Sequence, residues 1–550
     1  MRQRVLLASF LLVAVCVDAH SWHDLTPLNH ERAVRAARMF PHRHEADLSA
    51  AGEVAVPPVV GEHRNFWVAN LATFPDFDPM TDKELRDCEM VRDSSNAYLF
   101  VGELAGAALE EYKLLIGEAG VQAIYDSLVA AFGGTISPTC TSAFGPVPDA
   151  IDGDPKVYLL ICDPMNEGVG GYFDDASQYT DAEAMAAGLG HSNEVEMVHI
   201  NYLYPPYDYL VGTAIGNAIL AHEFQHLIHW GGDPDEELWI NEGMSNHASI
   251  ICGYPDAAWD HVYLGFLPDP DEDLLHWGNA YPDYGAASLF AAYFYDQFGG
   301  ATATLALVQD STNGTASVEE TIAEMGFPQA GFRRVFGDWA VATYLDDPSV
   351  ADGRYGYESY DIDLFCDLLG ICGPELTVSH DSYPIDESGQ LWANAADYIR
   401  LGAQPGDYVL ECDGPPGFSG RAVFVGAGVA VTEVATTPDG HGYLAIRDFE
   451  TLTEVVFIPY YLNASHTRID YSYAVYPGTP VPTLTPTPGA KGDMDQDGDF
   501  DLFDVLRLVD IILERPPTPT PYEQWAGDLD DDGDIDLFDV LALVDLVLNG

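Results

Sequence analysis

The pentapeptide His222-Glu223-Phe224-Gln225-His226 sets two imidazoles four residues apart. On a helix that spacing stacks them on one face, where two ring nitrogens can share one cation. Glu223 stands one step round from the pair, beside the position a cation would leave open, which suits a proton acceptor. A buried helix with two satisfied histidines would give the same letters. A catalytic zinc site asks for a third protein ligand plus water, and Glu242 in Trp239-Ile240-Asn241-Glu242-Gly243-Met244-Ser245, sixteen positions after His226, is the best candidate. The turn Gly231-Gly232-Asp233-Pro234 between the two segments allows an antiparallel return that would carry Glu242 back over the histidines. His229, His247, Asp233 and Asp235 compete for the role. The metzincin pattern fails, because His229 stands where it needs Gly and Gly232 where it needs His, so the zinc class reads as glutamate-type.

A second set of ligand-type residues lies at the other end of the chain. Asp493, Asp495, Asp497, Asp499, Asp501 and Asp504 recur 35 residues on as Asp528, Asp530, Asp532, Asp534, Asp536 and Asp539, with Gly498 and Gly533 at the sixth loop position. Oxygen side chains at loop positions 1, 3, 5 and 12 with that glycine make an EF-hand type calcium loop, here with Asp in place of Glu at position 12. Each loop runs into one short helix, Leu502 to Leu513 and Leu537 to Leu548, with no incoming helix.

The metal motifs carry two resemblances. Ala221 to Ile228, followed by Trp239 to Ser245, resembles the hyicolysin-like neutral metalloproteases of the gluzincin group and, more distantly, the immune-inhibitor-A type. The likeness extends to Tyr284 through Phe290 and weakly to Gly171-Tyr172-Phe173 and Glu196-Met197, and covers about residues 62–350. It implies one catalytic zinc on His222, His226 and Glu242, with Glu223 as general base for attack of a zinc-activated water on a peptide bond. Two features depart from the family: His229 and Trp230 replace a more usual polar pair, and the spacing to Glu242 is short for gluzincins. An oxyanion partner is also needed, with Tyr284 and Tyr281 foremost and His276 and His247 behind them. The paired aspartate loops resemble a type-I-like dockerin, which implies two calcium ions and a cohesin-type partner. Leu502-Phe503 and Leu537-Phe538 fall at the family's recognition positions and are apolar where many dockerins carry Ser or Thr. A calcium-stabilised cap packed on its own chain is the plainer reading of the same loops.

These residues must be held by elements the sequence also outlines. Ile215, Ala218, Ile219, His222, His226 and His229 recur at three- and four-residue steps, which predicts a helix from Leu210 to Trp230, and a second is predicted from Glu237 to Ile250. Further helices are predicted at Ser95 to Ile116, Val121 to Phe132, Tyr284 to Phe298 and up to Tyr344. Strands are predicted at Asn65 to Val68, Val157 to Ile161 and Met197 to Tyr202, the last as an edge strand for an extended peptide. Beyond residue 375 short β runs alternate with Gly, Pro and Asp turns, as in a β-sandwich. The reading is therefore multidomain: a signal peptide (1–19), a pro-segment or N-terminal arm (20–61), an α+β zincin-like peptidase domain with its active-site helix (62–350), an all-β sandwich (375–476), a Pro/Thr linker (477–491) and a small α calcium-loop, dockerin-like module (492–550).

Composition bounds the setting. Met1-Arg2-Gln3-Arg4, the apolar run Val5 to Val15 and Val17-Asp18-Ala19 form a secretion signal, so a secreted, extracellular protein is expected, with no later membrane span. Cleavage after Ala19 removes Cys16 and leaves seven cysteines, an odd number; Cys366 and Cys372 are spaced for a local disulfide. The net charge of −66, from 88 acids against 22 bases, excludes nucleic acid as a partner. A protein or peptide substrate suits the motifs. The alternative is a non-catalytic extracellular adhesion or scaffold protein with structural zinc and calcium modules, but a structural zinc site has no use for Glu223.

Overall fold

A computed structural model describes residues 26–43, 56–149, 151–166, 168–202, 213–328, 330–437, 439–478, 491–492, 494 and 502–513, with scattered positions from 523 to 544. The signal peptide, most of the linker and ten of the twelve calcium-loop aspartates lie outside the described residues.

The first half is built on one six-stranded mixed sheet of β1 (His63–Ala69), β2 (Lys83–Asp93), β3 (Ala97–Gly102), β4 (Val157–Cys162), β5 (Gly171–Phe173) and β6 (Met197–Asn201), ordered β1-β2-β3-β4-β6-β5. β3, β4 and β6 run parallel and are buried along their length, as expected of strands covered on both faces. Two sequence expectations are corrected here. The helix predicted from Ser95 begins only at Glu103: Ala97-Tyr98-Leu99-Phe100-Val101 is an apolar, aromatic run that fills the sheet between β2 and β4. The strand over 197–202 is not an edge, because β6 is paired on both sides, with β4 and with β5; the end of the sheet is β5.

Helix α1 (Thr26–Met39) precedes the sheet, and α2 (Glu103–Ala131) follows β3, broken at Gly117 (φ 75°, ψ 167°) where the two predicted helices meet. α3 (Ser137–Phe144) and α4 (Asp181–Ala187) pack beside them. The site itself rests on α5 (Ala214–Gly232), α6 (Leu238–Ile251) and α7 (Tyr281–Phe298), followed by α8 (Phe332–Leu345). α1 is tied down by Ala36 in the main core and by the ion pair of Arg38 with Asp235 (3.3 Å), and the turn that follows it, Pro41–Arg43, by Arg43 with Glu183 (2.7 Å).

Residues 378–477 form two sheets around a common core of residues such as Leu391, Leu410, Phe457 and Val475. One sheet orders Val429–Glu433, Phe418–Val425, Glu454–Tyr461, Ile399–Gly402 and Val378–His380; the other orders Ala435–Thr436, His441–Ile446, Tyr408–Asp413, Arg468–Pro477 and Ile385–Trp392. This unit does not stand apart from the helices. Tyr398, Val423, Val456, Ile458 and Tyr460 join the main core, and Tyr398 Oη donates to Ala340 O at 3.1 Å. Asp273 holds Asn394 (2.8 Å) and His466 (2.9 Å), and His276 stacks on that His466 ring.

At the C-terminal end α9 (Leu502–Ile512) shares a small core of Met494, Leu508, Ala526, Val540 and Leu543. Leu508 and Leu543 stand one repeat apart, so the 35-residue period builds one joint core from both copies. Cys366 and Cys372 form a disulfide; Cys88, Cys140, Cys162, Cys252 and Cys412 are buried thiols, with the Cys140 and Cys252 sulfurs 3.7 Å apart. No helix among the described residues is long and apolar enough to cross a membrane.

Candidate metal centre

Helix α5 starts where Thr213 Oγ1 accepts the Gly216 N–H at 3.0 Å, a side-chain cap that satisfies an otherwise free donor. From Gly216 to Trp230 every residue is buried, so the helix runs through the interior and its polar side chains need partners inside the protein. The chain turns at Asp233, whose N–H closes on His229 O, and returns as α6. His226 meets Asn241 and Ser245, while His222 meets Asn246, so the two helices run in opposite directions.

This return brings three ligand atoms together. His222 Nε2 and His226 Nε2 are 3.0 Å apart, and Glu242 Oε2 lies 3.3 Å from the first and 3.6 Å from the second. Tetrahedral ligands about 2.0–2.1 Å from one zinc ion stand about 3.3 Å from each other, which matches this triangle. Glu242 is 0% exposed and neither of its carboxylate oxygens has a hydrogen-bond partner among the described residues. A carboxylate buried in that state needs a cation beside it, so the residues fit a zinc ion on chemistry as well as on distance.

The far nitrogens of both rings are anchored. His226 Nδ1 is 2.6 Å from Asn241 Oδ1 and 3.0 Å from Ser245 Oγ; His222 Nδ1 is 3.2 Å from Asn246 Oδ1. Amide oxygens only accept, so Nδ1 carries the proton on each ring and the Nε2 lone pairs face the shared position. Ser245 Oγ donates onward to Gln225 Oε1, and Gln225 Nε2 lies 3.3 Å from His229 Nδ1. His229 is thus not one of the converging ligands. Burial, with the neighbouring His226, pushes its pKa down to about 3, so it stays neutral and packs. Asp233 and Asp235 sit at the helix turn, with Asp235 paired to Arg38.

Glu223 is fully buried beside the two histidines. Its room depends on Gly171 in β5: a Cβ there would fall 2.6 Å from Ile219 Cγ2, 2.8 Å from His199 O and 3.1 Å from Glu223 Cγ. The end strand of the sheet therefore lies directly against Glu223.

Of the oxyanion candidates, Tyr284 and Tyr281 gather with Ala218 and Ile219 on the α5 side. Tyr284 Oη donates to Asn279 Oδ1 at 3.0 Å, and its ring lies on His261 at 4.8 Å; Tyr281 meets the same imidazole edge-on at 5.1 Å. Gly285 allows this, since a Cβ would fall 2.5 Å from His261 O. Burial, and then His222, pushes the His261 pKa down to about 3. His261 therefore lies in the neighbourhood of His222, and no motif in the sequence marks it. His247 packs its ring on Tyr295 and His276 belongs to the sandwich junction, so neither faces the centre. The sequence reading also missed Asn241, Ser245 and Asn246 as anchors, although Ser245 and Asn246 follow Glu242 by three and four residues and Asn241 precedes Ser245 by four.

Helix α1 reaches this region too. Burial holds the His30 imidazole below its ordinary pKa, against the opposing charges of Glu242 and Asp235.

Of the calcium-loop residues, Asp504 and Asp539 are described and buried, while Asp493, Asp495, Asp497, Asp499, Asp501, Asp528, Asp530, Asp532, Asp534 and Asp536 lie outside the described residues. Asp504 Oδ1 accepts the Met494 N–H at 2.6 Å and Asp539 Oδ1 accepts the Leu529 N–H at 2.7 Å, the same bond one repeat apart.

Against known proteins, the sequence matches no family model and no curated protein. Among solved structures it is similar to a family GH115 4-O-methyl-alpha-glucuronidase with specificity for decorated arabinogalactans, at 10% identity and a TM-score of 0.13. The match covers 58% of this chain and 55% of that one, so the chain spans about half of that enzyme's length; at that TM-score the likeness carries no argument.

Proposed function

We propose that this chain is a secreted zinc-dependent endopeptidase, of the gluzincin type its motifs resemble, with a dockerin-like calcium module at 492–550 that docks to a cohesin-type partner. The observation that carries the reading is the triangle of His222 Nε2, His226 Nε2 and Glu242 Oε2, with an unbonded, fully buried carboxylate at one corner and Glu223 alongside. The chemistry zinc supplies when bound is acidification of a water molecule and polarisation of the scissile carbonyl. Glu223 takes the water's proton and hands it to the leaving amine. β5, the end strand of the sheet and buried along its three residues, brings its backbone against Glu223 at Gly171. Tyr281, Tyr284 and His261 border the centre and are the groups from which a donor to the developing oxyanion would come.

Glu223→Gln keeps shape and removes the proton acceptor. The purified variant is expected to hold one zinc per chain, as wild type does, and to lose casein hydrolysis by at least about a thousandfold, since general base and proton return fail together. A variant that cleaves casein at the wild-type rate refutes the assignment. A scaffold with structural zinc would bind the metal and cleave nothing in either form. For the C-terminal module, the repeated bonds of Asp504 and Asp539 support loops closed at position 12, and calcium-dependent capture by an immobilised cohesin separates docking from self-capping.

A further inference from the structure

A second group of carboxylates lies away from the zinc ligands and the C-terminal loops. Asp149 and Asp152 stand in the loop that leads into β4, and Glu196 is the residue before β6, the parallel neighbour of β4. One carboxylate oxygen from each lies within 4.8 Å of the other two.

The state of Asp152 shows that this is more than a crowd of surface acids. The residue is 7% exposed; its Oδ1 accepts the Asp154 N–H at 2.9 Å, and its buried Oδ2 has no hydrogen-bond partner among the described residues. Glu196 is 1% exposed, and Asp149, half-buried, takes the Gly153 N–H at 2.9 Å. Asp154 is already used, accepting Tyr98 Oη at 2.8 Å and the Lys156 N–H at 3.1 Å. The nearby bases are committed elsewhere: Lys156 to Asp93 at 2.6 Å, and Arg64, which reaches Tyr158 Oη, to Glu62 at 2.7 Å. Burial, with the charges of Asp154 and Asp149, pushes the Asp152 carboxyl up to about 6, against the lowering effect of the Asp154 N–H and of Glu196.

We propose that Asp149, Asp152 and Glu196 hold a divalent cation, calcium, at a position separate from His222, His226 and Glu242 and from the C-terminal loops. The donors are all hard oxygens with no nitrogen or sulfur among them, which selects calcium over zinc. Three carboxylates on two separate segments supply both the charge and the reach, and backbone carbonyls and water can complete the six to eight oxygens calcium takes. The ion would clamp the loop before β4 to the start of β6. Four residues further along β6, about 13 Å at strand rise, Ile200 pairs with Gly171 against Glu223. The clamp therefore fixes the register of the strands that carry the active-site edge. This holds whether or not the zinc centre is a peptidase.

The test uses the full chain, stripped of calcium on a chelating resin and resupplied with one equivalent of zinc. Calcium bound at equilibrium is counted for wild type, Asp149→Asn, Asp152→Asn and Glu196→Gln. Asp152→Asn and Glu196→Gln are expected to bind one calcium fewer than wild type whatever the C-terminal loops bind. Asp149→Asn, at a half-buried position that leaves the fold intact, is expected to weaken one site at least tenfold. Saturating calcium should raise the wild-type Tm about 5 °C more than that of Asp152→Asn. Asp149→Asn decides the matter if the buried variants fail to fold. Variants that bind as many calcium ions as wild type, with the same affinities, overturn the proposal and leave the three acids as a proton-sharing cluster.

Discussion

Asn241→Ala tests the anchoring of the proposed metal ligands most directly. Asn241 Oδ1 sits 2.6 Å from His226 Nδ1, the shortest of the bonds that fix either ring. While it is in place the proton stays on Nδ1 and the Nε2 lone pair points at the shared position; without it the ring can turn and the other tautomer competes. Loss of such a partner costs about 10–100-fold in metal affinity, or about 1.4–2.7 kcal/mol. The structure argues for the lower end in the single variant, because Ser245 Oγ at 3.0 Å remains as an acceptor for the same Nδ1–H. The double variant Asn241→Ala/Ser245→Ala removes both and should reach about 100-fold, more than the two singles multiplied together. Asn241→Asp should act in the opposite sense, since a charged acceptor makes a bond roughly twice as strong and the position is half-buried, where a carboxylate is tolerated. The assay is competition for zinc between apo-protein and a chromophoric chelator at pH 7.5, with far-UV circular dichroism to check the fold. Equal zinc affinity across wild type, the single and the double alanine variants would refute the reasoning, because the rings would then be oriented by packing alone.

Gly171→Ala should lower kcat by more than tenfold with zinc content unchanged, because the new methyl overlaps Ile219, the His199 carbonyl and Glu223; overpacking of this kind costs about 1–3 kcal/mol, and steady-state kinetics beside metal analysis distinguish it from a loss of fold. The docking of the turn that follows α1, Pro41–Arg43, should depend on acid pH. Although desolvation works against ionisation, the Thr180 hydroxyl and N–H and the Arg43 guanidinium hold the Glu183 carboxyl down to about 2 from an ordinary 4.5. A depressed carboxyl stabilises the fold fully above about pH 4.5 and loses that contribution as the pH falls toward 2. The difference in Tm between wild type and Arg43→Ala should follow that course, and a difference that persists unchanged at pH 2 would count against it.

The convergence of His222, His226 and Glu242 was open to a reader of the sequence because two helices and a Gly-Gly turn decide it locally. What the spacing could not give is which neighbours of Glu242 meet which ring, since that depends on the height at which α6 passes α5. The sequence hides β3 because Ala97 to Gly102 runs without a break into a helix of similar apolarity, and the boundary is set by pairing with β2 and β4 rather than by any residue at Glu103. The sequence puts 197–202 at an edge because three residues of β5 carry too little pattern to be recognised as a strand. Asp149, Asp152 and Glu196 come from segments that only the parallel pairing of β4 and β6 brings side by side, so no local motif announces them.

The way residues 378–477 are seated has a consequence for dissection of the protein. Arg421 reaches Asp338 of α8 at 3.6 Å from inside the shared interior, and Tyr460 and Tyr398 press on the same helix. A chain cut after α8 would leave Asp338 without that counter-charge and turn an aromatic wall toward water. The helical half and the sandwich should therefore melt as one cooperative body, and a working catalytic fragment would have to keep both.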